Sequence, residues 1–398
     1  MSQNFLELFT QIKDAGFDPL GMVFSSVTNV FQLDFETQKE IKAALIAANF
    51  HHHYENNTYY RSVCEEKGIS SKDIHDYNSL IKIPLIPVKR FKESSSHILL
   101  STTLDKIEFE MRSTGTSGIP SVSRRDSKTV SNAILSLYAM YREFFAISKG
   151  AILYLMPSTE EIPEMGMIKA LNLFSGLTDA QRCPVKRTYF NPTEAVDALL
   201  HWENKHTRHI IGPPFMVYKL IEHLKANNLR LNLDKQSYVI NLGGWKRFTG
   251  MEISRDEYNR NCAYYLGIKE NQIRDMYGLV EANNLAIECE HQHKHVSPWV
   301  HFSVRDQNDL SKEVPYGQRG VLAILDPSSV TYPTFILTED LVYLNDFTSC
   351  KCGRNGQSMV YLSRIKGAEI GCCAINLERQ MDEAGSVKVK AESKCIIA

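Results

Sequence analysis

A run of small and hydroxylated residues, Ser113, Thr114, Gly115, Thr116, Ser117 and Gly118, followed by Ile119 and Pro120, is the sharpest chemical signal in the chain. Such a loop can turn several backbone N–H groups and hydroxyls toward one anion, which is what phosphate oxygens require. It is not a Walker loop, because the Gly-Lys-Ser/Thr ending is absent. A second concentration is thiol and imidazole: Cys289 is followed by His291, His293 and His295, and Cys350-Lys351-Cys352 comes much later. Four ligands drawn from such a set suit a tetrahedral structural Zn²⁺, and the same residues read equally as unpaired cysteines on strand turns. A third is the adjacent pair Cys372 and Cys373.

The scaffold that must carry these groups is an ordinary globular one. Of 398 residues, 43% are hydrophobic and 23% charged, enough apolar surface for a core, which excludes disordered and collagen-like chains. With 45 Lys+Arg against 46 Asp+Glu the net charge is −1, so neither nucleic acid nor an anionic membrane is an expected partner. Nine cysteines, an odd number in close sets, argue against a disulfide framework and for a reducing compartment. The N-terminus lacks a basic region and a cleavage site, and the longest apolar runs, such as residues 151–156, are far short of a bilayer span of roughly 20 residues. A cytoplasmic location is expected. The first hundred residues read as helical, with an extended interruption at IKIPLIPVKRFKE (81–93) imposed by Pro84 and Pro87. The three histidines His51 to His53 read as a polar helix end or a loop. From there strand-like and helical runs alternate, which predicts an α/β fold with a mainly parallel sheet. After residue 286 the pattern predicts a smaller, partly antiparallel β-rich layer.

At this point the residues resemble a family. STGTSGIP is similar to the phosphate-binding signature of the adenylate-forming enzymes, which join a carboxylate to ATP, giving an acyl-adenylate and pyrophosphate. Four further segments resemble that superfamily's landmarks in the same order: NLGGWK (241–246), YGLVE (277–281, with Val280 in a threonine position), LTEDLV (337–342), and Ser363-Arg364 followed by Lys366-Gly367. The finer resemblance is to the LuxE-like acyl-protein synthetases, related to the phenylacetate-CoA ligases. It rests on IPLIPVKRFK, NLGGWKRFTGMEISRDEY, IRDMYGLVEANN, CKCGRNG and GAEIGCCAINLE.

The resemblance implies a large adenylate-forming domain with mixed and parallel sheets, flanking helices and a smaller β-rich subdomain. Residues 1–100 would be its helical lead-in, 101–364 its core, and the 34 residues 365–398 a truncated segment after the hinge, less than the roughly 40 residues that commonly fold alone. It implies ATP and Mg²⁺ as cofactors. Ser113 to Gly118 would grip phosphates, and Gly243, Gly244, Trp245, Tyr277 and Gly278 would border the adenine. Asp340 and Arg364 would hold the ribose, and Glu281 would hold Mg²⁺. The lysine that the family carries after the loop proline is Ser121 here, leaving Arg124 or Arg125 to supply the charge or the contact missing. Cys373 falls at the acyl-acceptor position, with Cys372 beside it and Arg364 or Lys366 able to favour a thiolate. The same kinship singles out Cys289, His295, Cys350 and Cys352 as the zinc set. The acid is expected to be fatty or aromatic, and the onward partner a carrier protein, CoA or a reductase. Two other readings stay open: a ligase delivering the adenylate directly to CoA, a carrier thiol or an amine, and a nucleotide-binding protein without turnover.

Overall fold

A computed structural model of the chain describes residues 2–113, 119–145, 150–163, 168–169, 178–186, 189–243, 253–345 and 350–366. These gather into two compact units. The first takes the residues up to Met111, those from Ser121 into the helix ending at Phe145, and those from Gly278 onward; the second takes chiefly those from Gly150 to Tyr277.

The first unit begins with helices, of which the longest is Phe35–Asn56. Asp34 caps it by accepting from the Thr37 N–H at 2.9 Å, satisfying one of the orphan donors of a helix start. Asn57 then caps the next helix, Thr58–Glu66, accepting from the Tyr60 N–H at 2.7 Å. The α-helical lead-in stops there. Short 3₁₀ turns and the two-residue strand Ile86–Pro87 occupy the chain as far as Lys106, because Pro84 and Pro87 cannot donate to a helical ladder. His51 to His53 lie in the closing turns of the long helix, and His53 is fully buried, not polar surface.

The later strands of this unit form an antiparallel series in the order His301–Arg305, Gly320–Leu325, Phe335–Asn345, Ser358–Arg364, Lys294–Val296 and Leu285–Glu288. Ile86–Pro87 joins it in parallel against Ile336–Leu337. The expected β-rich layer is therefore antiparallel apart from that two-residue strand, and it shares one core with the N-terminal helices, through Ile46, Phe50, Tyr60, Leu80, Phe91, Phe335 and Ile336. Cys64 is a buried filler of that core.

The second unit is the predicted parallel sheet. Its strands run Ala180–Arg182, Ala151–Tyr154, Arg208–Gly212, Val239–Leu242 and Ile273–Gly278, each parallel to the next. Helices Pro192–His201, Pro214–Ala226 and Arg255–Leu266 pack an aliphatic core against it, with Leu153, Ile210, Leu220, Val239 and Cys262 fully buried. Strands buried on both faces read as continuous apolar runs, which is why these were legible. Among the described residues no helix is long and apolar enough to cross a membrane.

Candidate active site

In the first unit the carboxylates expected at the nucleotide are concentrated by irregularities in the sheet. Leu337 pairs with Ala323 and Leu341 with Val321, so the three residues Thr338, Glu339 and Asp340 stand opposite the single residue Leu322. This bulge takes Thr338–Asp340 out of the ladder. The Thr338 hydroxyl takes over part of the lost bonding, donating to the Leu322 carbonyl at 2.8 Å and accepting from the Asp340 N–H at 3.1 Å. On the other side, Val342 pairs with Tyr361 but Leu341 with Ser363, leaving Leu362 as an extra residue. Without that insertion Asp340 would face Ser363; with it, Asp340 faces Arg364, whose Nε donates to Asp340 Oδ1 at 3.1 Å. Bulges of this kind re-aim side chains near functional sites.

Glu281 sits on the turn after Gly278 and is buried. Arg125 braces that turn, donating from Nη2 to the Val280 carbonyl at 2.9 Å, and the Asn283 N–H donates to Asp326 Oδ2 at 2.9 Å. Burial pushes the Glu281 carboxyl above its ordinary range, against the pull of a hydrogen bond from Ser121, its own backbone N–H and the charges of Lys92 and Arg364. A carboxylate desolvated in this way is suited to a hard divalent cation, which restores the charge balance that burial removes. Neither arginine after the phosphate loop is free to replace the family lysine. Arg124 pairs with Glu110 at 3.3 Å and donates to Ser96 Oγ at 3.1 Å, while Arg125 is committed to the Glu281 turn. Ser121, standing where that lysine is expected, bonds to Glu281 instead.

The second unit carries most of the residues expected at the adenine, while Gly278 opens the last stretch of the first unit. Met276 pairs with Leu242, so Tyr277 and Gly243 follow at the carboxyl ends of neighbouring parallel strands, where open α/β sheets bind ligands. Gly243 has φ +82°, a left-handed turn that glycine adopts without penalty. A Cβ at Gly278 would come within 3.1 Å of the Leu285 side chain and 3.3 Å of the Asn284 carbonyl. Ser113 closes the strand Phe109–Arg112, which pairs with Val122–Arg125 across the phosphate loop. Thr114, Gly115, Thr116, Ser117 and Gly118 lie outside the described residues, as do Gly244, Trp245, Cys372 and Cys373.

The sulfur and imidazole groups converge. Cys289, His295, Cys350 and Cys352 have their ligand atoms within 4.8 Å of one another, the one such cluster among the described residues. Cys289 Sγ lies 3.6 Å from Cys350 Sγ, and His295 Nε2 is 3.3 Å from both Cys350 and Cys352 Sγ. A tetrahedron with Zn–S of about 2.3 Å has edges of roughly 3.8 Å, so these four atoms fit that ion. Two tight turns supply the cysteines and the strand Lys294–Val296 supplies His295; each turn offers an N–H to a sulfur, His291 to Cys289 and Arg354 to Cys352, both at 3.4 Å. Such donors favour thiolates. His291 and His293, equal candidates on spacing, are outside the cluster.

Two participants carry no signal in a list of motif residues. Glu339 is buried beside Asp340 and reaches Arg364 Nη1 at 3.8 Å, and Lys89 Nζ lies 3.2 Å from Glu339 Oε1. Adjacency in LTED and the basic VKRFK stretch were the available hints.

This architecture is that of the adenylate-forming enzymes. An open conformation of 2-hydroxyisobutyryl-CoA ligase, solved with 2-HIB-AMP and CoA, superposes with a TM-score of 0.66 at 17% identity, over 85% of this chain and 78% of that one. The same ligase in its thioesterification state gives 0.65 at 16% identity, over 85% and 71%. The model of the family "Acyl-protein synthetase, LuxE" matches residues 16–382, and the chain belongs to that family. It is 30% identical over 319 residues to the long-chain-fatty-acid–luciferin-component ligase of Aliivibrio fischeri, covering 79% of this chain and 82% of that protein. The corresponding ligase of Vibrio harveyi is 27% identical over 352 residues, covering 87% and 90%. The protein is thus an AMP-forming ligase that activates a carboxylic acid with ATP and transfers the acyl group to a thiol.

Proposed function

We propose that the acid is a fatty or aromatic one, that the first acyl acceptor is Cys373 or its neighbour Cys372, and that residues 365–398 serve as the acceptor-bearing segment. A carboxylate oxygen attacks the α-phosphorus, the bond to the β-phosphate breaks and pyrophosphate leaves. The thiolate then attacks the acyl carbon, and AMP departs with the bonding pair. This chemistry asks the protein mainly for positioning and charge neutralisation. Ser113 to Gly118 would hold phosphates; Gly243, Gly244, Trp245, Tyr277 and Gly278 would border the adenine; Asp340 would accept the ribose hydroxyls beside Arg364. Glu281 would hold Mg²⁺, which neutralises phosphate oxygens when bound. The observation that carries the reading is the Asp340–Arg364 pair, set face to face by an extra residue in one strand and a bulge in the other. The names of the two bacterial relatives support a long-chain acid, and the solved ligase supports CoA as a recipient beside a carrier protein or reductase. The Cys289, His295, Cys350 and Cys352 geometry supports a structural Zn²⁺, testable as about one zinc per chain that is lost in Cys352→Ser.

The test is pyrophosphate release in a screen of carboxylic acids, followed by labelling with the best acid. The expected result is release that requires both ATP and acid, and a hydroxylamine-labile acyl label that disappears in Cys373→Ala. A label surviving replacement of both Cys372 and Cys373 removes the acyl-enzyme step. Acyl transfer seen only on adding CoA makes the protein a direct CoA ligase, and ATP binding without acid-dependent release would refute adenylation.

A further inference from the structure

The segment IPLIPVKRFK has no part in the assignments above, yet the fold delivers it to the nucleotide carboxylates. Ile86 and Pro87 pair in parallel with Ile336 and Leu337, the two residues that lead directly into the bulge at Thr338. The following 3₁₀ turn, Val88–Lys92, is anchored by buried Val88 and Phe91. Its Lys89 leaves most of its side chain in solvent, 69% exposed, but sets Nζ 3.2 Å from Glu339 Oε1. Glu339 is 8% exposed in its side chain and touches Arg364 through its second oxygen, Oε2, at 3.8 Å; Arg364 in turn reaches Asp340 at 3.1 Å. The Ile365 N–H donates to the Glu339 carbonyl at 2.9 Å, so the residue after Arg364 is held by the same bulge.

Charge counting shows what this chain of contacts does. Asp340, Glu339 and Arg364 together carry one excess negative charge in a mostly buried place, and Lys89 cancels it. An unbalanced buried charge is costly, so the four groups form one neutral unit. Arg364 thus stands between two carboxylates, 3.1 Å from Asp340 and 3.8 Å from Glu339. Burial lowers the affinity of Arg364 for its proton, but the neighbouring Asp340 and Glu339 more than restore it, so the guanidinium stays charged. Lys92, on the same turn, acts on Glu281.

We propose that Glu339 is a positioning residue for Arg364, and that Lys89 acts through Glu339 to set where the Arg364 guanidinium sits beside Asp340, so that both control ATP affinity without touching the nucleotide. This rests on the reading that Asp340 and Arg364 hold the ribose. Acid-dependent pyrophosphate release is measured in the full-length protein against ATP and against acid. Glu339→Gln raises KM for ATP by roughly tenfold and Lys89→Met by roughly threefold, with KM for the acid unchanged and kcat within about twofold. Lys89→Arg, which keeps the ion pair, stays within about twofold of the parent. In the double variant Lys89→Met has no added effect, because its route through Glu339 is gone. Lys89 is a surface residue, so its variants test the idea even if Glu339→Gln folds poorly. Full additivity in the double variant, or an unmoved KM for ATP in both single variants while Asp340→Ala raises it, overturns the proposal alone. An unmoved KM in Asp340→Ala as well takes down the ribose reading and the proposal with it.

Discussion

The antiparallel unit buries Lys42, Arg125, Glu281, Arg305, Asp326, Glu339 and Asp340, whereas the described part of the parallel unit buries fewer charged groups, Arg208, Arg274 and Asp275, in an otherwise largely aliphatic interior, from Leu153 through Leu220 to Val239. Buried charge also differs in how it is satisfied. In the parallel unit Arg208 is closed off, with Nε and its backbone N–H both donating to Asp234 Oδ2 at 3.1 and 3.0 Å. In the antiparallel unit Glu281 is pushed up by burial, and Lys42 is pulled down by burial to about 7 with Gln357 Oε1 at 3.2 Å as its hydrogen-bond acceptor. A group kept away from its preferred ionisation is a cost that a ligand can relieve, so strain of this sort marks where chemistry sits.

The largest effect that would sharpen this contrast comes from Glu281→Gln. Acid-dependent pyrophosphate release is expected to fall by about 10²–10³-fold, while thermal stability stays level or rises, because a desolvated carboxylate is replaced by a neutral amide. A drop in both would make Glu281 a structural residue and break the division. The opposite pattern is expected from Leu220→Ala in the parallel unit. Leu220 is fully buried, and its truncation should cost about 2–5 kcal/mol in chemical denaturation while KM for ATP stays within about twofold at temperatures where the protein is folded.

The same contrast explains what could be read from the sequence. The parallel strands were legible because burial on both faces writes continuous apolar runs such as AILY (151–154) and RHIIG (208–212). Spacing alone left three histidines after Cys289 as candidates for the metal cluster and resemblance singled out His295; hairpin register is the reason His295 enters it while His291 and His293 do not. Resemblance singled out Asp340 and Arg364 as ribose residues, but neither their pairing with each other nor its cause was legible. One extra residue at Leu362 has no compositional signature, and it decides which of Ser363 and Arg364 faces Asp340. Glu339 and Lys89 were hidden because they lie 250 residues apart, joined by a two-residue parallel strand too short to register as periodicity. His51 to His53 do end a helix, one of the two expected readings, but a histidine run looks polar, whereas the His53 ring is satisfied inside by Ser101 Oγ at 2.7 Å and the Ser329 carbonyl at 3.1 Å.

That histidine gives the smallest test of the comparison, set against His209 of the parallel unit; the antiparallel unit also buries His295 and His301. The Ser329 carbonyl can only accept, so Nε2 of His53 carries the proton and Nδ1 accepts from Ser101. In the parallel unit the Tyr238 N–H donates to His209 Nδ1 at 3.2 Å, so a proton added there would meet another donor. Burial lowers His53 to about 3, helped by the charge of His52 and opposed by the Ser329 bond; burial lowers His209 to about 4, opposed by Asp234. As pH falls below 6.5 the unfolded chain binds a proton at each site and the folded chain does not. Stability therefore declines with falling pH, by at most about 1.4 kcal/mol per pH unit per histidine, until about pH 4 for His209 and about pH 3 for His53. Trp299 reports on the antiparallel unit and Trp202 on the parallel one, each buried in its own core. With urea midpoints followed through one of these tryptophans after replacing the other and Trp245 by Phe, His209→Gln should flatten the decline between pH 6.5 and 4 in the Trp202 signal. His53→Gln should flatten it in the Trp299 signal and down to lower pH. If either substitution flattens both signals equally, the two interiors melt together, and the difference between them is one of chemistry alone, with no separate stability behind it.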